Sequence, residues 1–236
     1  GEPINLKTQT GTLEYYVTSK ETWEKMKTIA TDAGIGGLRF DYRWGHFQYH
    51  KNSVLENGTA DTLFADYAAP DMIESGMQLM AIIDMGNPYI HNGWYEPYAP
   101  HQFADEKQQE AEWAIWEGYV DWLTKTYKDS VTYWEIINEP NAFMTGAQYA
   151  EYVKRAYPII KKNDPDGIVC TFALSGVDLA WFEETFKVIG TQYMDAITVH
   201  PYDWGVSGEL LGLDNWSKIL RDQVTMDRID ALRSLV

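Results

Sequence analysis

The feature that most constrains this chain is a repeated alternation of short apolar segments with amphipathic helical patterns. Segments rich in β-branched and aromatic residues, typical of strands, occupy residues 4–9, 36–44, 78–86, 131–137, 167–174 and 195–202. Strands that alternate with helices at this spacing predict parallel βαβ units. Because no Gly-x-Gly-x-x-Gly turn follows the first segment, the pattern favours an α/β fold of the (β/α)8 TIM-barrel type over a Rossmann sheet. The sequence supplies six predicted βα units, so we expect an incomplete barrel.

The helical patterns carry their own start and stop signals. Thr18 with Glu21 and Thr145 with Gln148 have the spacing of capping boxes, and Gly34 is placed as a left-handed C-cap. Further helices are predicted near residues 61–76, 178–189 and 215–236.

The clearest helix carries an apolar stripe at steps of three and four residues, formed by Trp113, Trp116, Val120, Leu123 and Tyr127. A stripe of this kind is more often core than a binding site. We therefore predict that Trp113, Trp116 and Val120 are buried between this helix and the strands.

Composition narrows the class of partner. With 45% hydrophobic residues and no low-complexity linker, the chain is predicted to form one domain over residues 1–236. The net charge of −16 argues against nucleic acid, whose phosphates need clustered Lys and Arg. No apolar run approaches the roughly 20 residues of a membrane span, so no membrane partner is expected.

One cysteine, Cys170, rules out an intramolecular disulfide. Because the chain opens at Gly1 without a Met, either a leader has been processed, which favours a secreted or periplasmic location, or cloning set the start.

Polar residues collect where four of the predicted strands end. These are Arg39 and Asp41, then Asn87, then Asn138 and Glu139, then His200 and Tyr202. In "TYWEIINEPN", Pro140 cannot donate to a ladder, so regular pairing should stop after Asn138 and Glu139. Asn-Glu-Pro could be a simple strand breaker, but four strands that deliver polar groups to one end are hard to explain in that way. We predict that these side chains converge on one face of the barrel.

Three segments resemble strands of the clan A retaining glycoside hydrolases. "YKDSVTYWEIINEPN" resembles their fourth strand, "GLRFDYRW" their second and "DAITVHPY" their sixth. The spacing is most similar to family thirty-nine, the β-xylosidase and α-L-iduronidase group, with family five cellulase-like enzymes second. The resemblance covers nearly the whole chain. It implies retaining hydrolysis of O-glycosidic bonds in β-linked, plant-type poly- or oligosaccharides.

The resemblance also implies roles for single residues. Glu139 would be the general acid/base, and Asn138 would bind the sugar 2-hydroxyl, a contact that strengthens in the oxocarbenium-like transition state. Arg39 would support the catalytic carboxylates. The alternative for Arg39 is a structural ion pair with Asp41 or another buried acid.

Further sugar-binding candidates come from the strand-six end and from aromatic loops. His200 and Tyr202 would orient the nucleophile or the sugar, or serve the structure alone. Flat aromatic rings suit the apolar faces of pyranoses, while Asn and His bind hydroxyls. Such residues are Asn87, His91, Trp94 and Tyr98 in the loop 86–103, with Trp44 and Trp204 elsewhere. The alternative for each of them is loop packing.

The sequence departs from the family pattern at the nucleophile. In the family this glutamate ends strand seven, whereas the residues up to Val236 supply six units, and a complete barrel typically takes about 250 residues. The nucleophile is therefore unassigned, and Glu209 is a poor substitute. The chain is expected to be a fragment, a naturally short barrel, or a barrel completed by another chain. An open edge also makes self-association an expectation.

Two functions stay open at this point. One is a glycosidase, and the other is a carbohydrate-binding barrel that lacks the nucleophile strand. A metal-dependent barrel enzyme is a third reading, but five scattered histidines meet its ligand requirements poorly. No metal or other cofactor is therefore expected.

Overall fold

Five parallel strands, hydrogen-bonded in chain order, form the sheet at the centre of the structure. They are β1 (Gly37–Tyr42), β2 (Gln78–Ile83), β3 (Tyr133–Ile136), β4 (Ile168–Ser175) and β5 (Ala196–His200). The structure is a computed structural model that describes residues 20–42, 64–85, 99–200 and 230–234. Its strands match five of the six predicted segments. The remaining segment, residues 4–9, lies outside the described residues.

Among the described residues, one α-helix precedes the sheet, and one α-helix lies in each connection between neighbouring strands. These are α1 (Lys20–Asp32), α2 (Ala69–Glu74), α3 (Glu106–Tyr127), α4 (Gly146–Asn163) and α5 (Leu179–Ile189). α2 is shorter than predicted because a π-helical turn, Phe64–Ala68, precedes it. Residues 230–234 are helical, as predicted for the last helix. Parallel strands alternating with helices confirm the β/α-barrel class.

Within the described ranges, no helix combines the length and the apolar character needed to cross a bilayer.

The local signals read from the sequence are present where the structure describes them. Thr145 Oγ1 accepts a hydrogen bond from the Gln148 backbone N–H at 3.2 Å, and Gln148 Oε1 accepts one from the Thr145 N–H at 2.9 Å. Gly34 follows α1 with φ 69°, the left-handed conformation of a C-cap. Thr18, the predicted cap of α1, lies outside the described residues.

The apolar stripe of α3 is buried, as predicted. Trp116 and Val120 are wholly buried, and Trp113 is nearly so. Trp113 and Trp116 both lie edge-on to the ring of Tyr152 in α4, at centroid distances of 4.5 and 4.9 Å. Trp116 Nε1 also donates to the carbonyl of Asp84, just beyond β2, at 2.9 Å. The stripe therefore joins α3 to α4 and to the end of β2.

The capping box of α4 allows a direct stability test. We expect Thr145→Ala to lower the free energy of unfolding by about 1 kcal/mol, because the N–H of Gln148 loses its acceptor. Urea unfolding of this chain measures the change. Thr126→Ala is the matched control, since Thr126 is also exposed but bonds the Trp122 carbonyl within a helix. Equal losses in the two variants would show that the cap contributes nothing specific.

Candidate active site

Four of the predicted site residues come together around the carboxyl end of β3. Asn138 and Glu139 follow β3 and His200 ends β5. Arg39, in contrast, is the third of the six residues of β1 and does not lie at a strand end, where the sequence had placed it. They meet as two pairs. Arg39 Nη2 donates to Asn138 Oδ1 at 2.6 Å, and His200 Nδ1 lies 2.8 Å from Glu139 Oε1. The two contacts lie next to each other because Asn138 and Glu139 are neighbours in the chain.

Arg39 is held in place by a buried acid, Glu135 of β3. Arg39 Nε donates to Glu135 Oε1 at 2.9 Å, and Nη2 donates to the same oxygen. An arginine can only donate, so the amide oxygen of Asn138 must be the atom that faces it. The ion-pair alternative for Arg39 is thus present, with Glu135 as the buried acid.

Sequence reasoning missed Glu135. Its side chain is 1% exposed, against 36% for Arg39. Its second oxygen, Oε2, is buried and has no hydrogen-bond partner among the described residues. A charged group in such a place needs a compensating cation. The signal was one acidic residue in the otherwise apolar run "VTYWEII", because an acid in a doubly buried strand demands a partner.

Glu139 and His200 form a pair that a ligand can reach. Their side chains are 27% and 17% exposed, so they are largely enclosed but open on one side. A protonated carboxyl can donate to Nδ1, and a protonated Nδ1 can donate to the carboxylate. In both cases Glu139 Oε1 is committed to His200, which leaves Oε2 as the oxygen for a ligand.

The backbone around Glu139 is unusual. Glu139 has φ 47° and ψ 51°, and Ile137 has φ 61°, which is rare for a β-branched residue. Ile137 N–H donates to the Ile83 carbonyl at 3.1 Å, and Glu139 N–H donates to the Ala173 carbonyl at 3.0 Å. Such conformations cost about 1–3 kcal/mol each and concentrate at functional sites. They turn the chain out of the strand at the point where Glu139 lies.

A comparison with protein families agrees with this geometry. The family model described as Cellulase (glycosyl hydrolase family 5) matches residues 1–207. The chain belongs to glycosyl hydrolase family 5. Family five stood second in the resemblance drawn from the sequence, after family thirty-nine.

Two solved structures share the fold of this family 5 chain. A family 39 glycoside hydrolase from the gut symbiont Bacteroides cellulosilyticus WH2 is 21% identical, with a TM-score of 0.59 over 78% of this chain and 36% of its own. A family 5 mannosidase from Rhizomucor miehei is 17% identical, with a TM-score of 0.54 over 77% of this chain and 51% of its own. The chain thus spans about a third to a half of the length of these proteins. A search of curated proteins found no match.

Asp41, also predicted at this end of the sheet, lies in β1 opposite Ile82 of β2. The remaining predicted site residues of the family 5 chain lie outside the described residues. They are Trp44, Asn87, His91, Trp94, Tyr98, Tyr202 and Trp204, together with Glu209. Across the part of the chain that the structure describes, no group of three or more His, Cys, Asp or Glu side chains is arranged to hold a metal ion.

Cys170 lies beside the site in β4, opposite Glu135 of β3. The side chain is buried. Burial, helped by the negative charges of Glu135 and Asp195, raises the pKa of the Cys170 thiol to about 12. Because the thiolate is the nucleophile, this cysteine is an inert core residue at neutral pH.

The Arg39–Glu135 pair should be a large contributor to stability. We expect Arg39→Met to lower the free energy of unfolding by about 3–5 kcal/mol, since it leaves the Glu135 carboxylate buried without a cation. The double variant Arg39→Met/Glu135→Leu should recover most of that loss. Urea unfolding measures both.

The control for this cycle is Arg233→Met. Arg233 forms an exposed pair with Asp230 at 3.3 Å, which should be worth less than about 1 kcal/mol. If Arg39→Met cost no more than Arg233→Met, Arg39 would not be the group that compensates Glu135.

The reactivity of Cys170 follows from its raised pKa. We expect no measurable reaction with Ellman's reagent at pH 8 in the native protein, because only about one thiol in ten thousand is ionised there. Reaction should become complete when urea unfolds the chain. As Cys170 is the one cysteine in the sequence, the signal has a single source. Fast labelling of the native protein would mean that the thiol is not buried in solution.

Proposed function

We propose that the protein is a retaining glycoside hydrolase in which Glu139 is the general acid/base. The observation that carries the proposal is the pairing of Glu139 with His200 at 2.8 Å beside the Arg39–Asn138 pair. Membership of glycosyl hydrolase family 5 supports it.

The chemistry assigned to Glu139 is a proton transfer. The carboxylic acid gives its proton to the glycosidic oxygen as the bond to the anomeric carbon breaks, and the same carboxylate later takes a proton from the attacking water. For this step the proton must lie on Oε2, so His200 Nδ1–H has to donate to Oε1 across the 2.8 Å contact, and Oε2 is the oxygen that meets the leaving group. The imidazole thereby determines which carboxyl oxygen faces the substrate.

Asn138 is proposed to bind the sugar. Because its Oδ1 accepts from Arg39, its Nδ2 group is the donor available to a hydroxyl. A hydrogen bond to the 2-hydroxyl strengthens as positive charge develops at the anomeric carbon. Glu135 and Arg39 hold the amide in this orientation.

A second carboxyl group must act as the nucleophile, about 5–5.5 Å from the acid/base in retaining enzymes. Glu135 is poorly suited because its side chain is buried and its Oε1 is bonded to Arg39. We propose that the nucleophile lies outside the described residues.

The substrate is proposed to be a β-linked, plant-type poly- or oligosaccharide. The family description, Cellulase, names enzymes of such a polymer. The net charge of −16 suits an uncharged substrate better than an anionic one. Binding of sugar without turnover is the alternative, and the experiment below separates the two.

The test is the effect of Glu139→Gln on substrates with different leaving groups, measured on the protein that carries this chain. We expect turnover of an unactivated β-linked oligosaccharide to fall by about 10²–10⁴-fold, because its leaving group needs the proton. An activated aryl glycoside, whose leaving group departs as a stable anion, should lose far less in the first step.

Glu183→Gln is the control for this change, since Glu183 is an exposed acid that pairs with Lys187 on α5. It should leave both substrates unaffected. Turnover by the wild type that survives Glu139→Gln on both substrates would end the assignment. Calorimetric binding of the oligosaccharide without any turnover by the wild type would favour the binding protein.

A further inference from the structure

The hydroxyl of Tyr149 stands between two strands of the sheet. Tyr149 belongs to α4 and is wholly buried. Its Oη donates to the carbonyl of Ile136 in β3 at 2.9 Å and accepts from the backbone N–H of Phe172 in β4 at 2.8 Å. The hydroxyl therefore bridges β3 to β4, using its one hydrogen as donor and one lone pair as acceptor.

This bridge takes the place of a ladder hydrogen bond. Ile168 N–H donates to the Thr132 carbonyl at 3.1 Å. In a parallel ladder the same relation repeats every two residues, so four residues further on it would join Phe172 N–H to the Ile136 carbonyl. Those are the two groups that the Tyr149 hydroxyl separates. At the position where regular pairing would otherwise continue, the two strands are therefore connected through the Tyr149 hydroxyl and not by a direct hydrogen bond.

The backbone changes character directly beyond this point. Just after β3, Ile137 and Glu139 have positive φ, and within β4, Phe172 and Ala173 do, at 81° and 42°. The pairing of β4 with β5 slips between Phe172 and Leu174. As a result the Ala173 carbonyl accepts from the Glu139 N–H at 3.0 Å. The bulge in β4 thus receives the backbone of the proposed acid/base.

Asn141, two residues after Glu139, makes a second connection between the segment that follows β3 and the end of β4. Its Nδ2 donates to the Ser175 carbonyl at 3.0 Å, and its Oδ1 accepts from the Ser175 N–H at 3.1 Å. The next residue, Gly176, donates to the His200 carbonyl at 2.7 Å. One continuous set of hydrogen bonds therefore connects the chain around Glu139 with the residue that contacts its carboxyl group.

We propose that Tyr149 is a positioning residue that holds β3 and β4 apart, with Asn141 as its partner in the loop, so that the Glu139 carboxyl group meets His200. The consequence for catalysis rests on the proposed function, whereas the geometric claim does not. Without the hydroxyl, Ile136 and Phe172 either lose their partners or close into the direct ladder bond. Closure would flatten the bulge and withdraw the Ala173 carbonyl from Glu139.

The experiment compares Tyr149→Phe with Tyr152→Phe. Tyr152 is a matched control because it also lies on α4 and is wholly buried, but its hydroxyl contacts His101 Nδ1 at 2.8 Å, away from the β3–β4 junction. The first readout is the ¹⁵N resonance of His200 Nδ1 at fixed pH, assigned by its loss in His200→Gln. In Glu139→Ala the contact between His200 Nδ1 and the carboxyl group is absent, so this variant gives the reference position of the resonance without the contact.

We expect the resonance in Tyr149→Phe to move toward its position in Glu139→Ala, while Tyr152→Phe keeps the wild-type position. A resonance that stays at the wild-type position in folded Tyr149→Phe overturns the proposal. If Tyr149→Phe does not fold, Asn141→Ala carries the same test. Its control is Asn163→Ala, another half-buried amide, bonded to Asp121 and Thr124.

The second readout is kinetic. On an unactivated glycoside, Tyr149→Phe should lower kcat with KM nearly unchanged, by a factor approaching the order of 10², as expected for a misplaced catalytic group. Absence of turnover in the wild type would refute the proposed function and leave the resonance to decide the positioning role. Turnover that Tyr149→Phe leaves intact, despite a moved resonance, would refute the catalytic consequence alone.

Discussion

A carboxylate buried in the middle strand of the parallel sheet positions the side chains at the carboxyl end of that strand, where the proposed chemistry takes place. Glu135 lies in β3 with its side chain closed to solvent, where a negative charge is stable only beside a cation. Arg39 supplies that cation from β1, on the far side of β2. With two of its nitrogens on Glu135, the guanidinium has a fixed position, and Nη2 also reaches Asn138. A buried charge thereby orients the half-buried amide of Asn138.

Aromatic side chains with polar tips close the ends of the strands. A parallel strand that stops leaves backbone groups without a ladder partner, and these must be satisfied. Tyr119 Oη donates to the Tyr42 carbonyl at the end of β1, and Trp116 Nε1 donates to the Asp84 carbonyl after β2. Tyr149 does the same for β3. These aromatic residues therefore belong to the core, where both the ring and its polar atom are used.

Sequence and structure agree where the sequence pattern is strong and local. The stripe of α3 and the capping box at Thr145 depend on residues three or four apart, and both are present. β3 ends at Ile136, one residue earlier than predicted, because Ile137 takes a positive φ that no propensity favours. Glu135 was passed over because its partner is 96 residues away in the chain, and strand periodicity carries no information about such a partner.

The sequence by itself determined the order of strands and helices and the residues that follow each strand, because hydrophobic period, caps and Pro140 act through neighbouring atoms. It also carried the resemblance to the clan A glycoside hydrolases, with family five in second place, since "TYWEIINEPN" and its companion segments are contiguous motifs. Only the tertiary structure decided that Arg39 holds Glu135 and Asn138, that Glu139 faces His200, and that Tyr149 separates β3 from β4. Each of these is a hydrogen bond between elements distant in sequence. Its existence depends on donor and acceptor approaching within about 3 Å, which packing of the whole sheet against its helices decides.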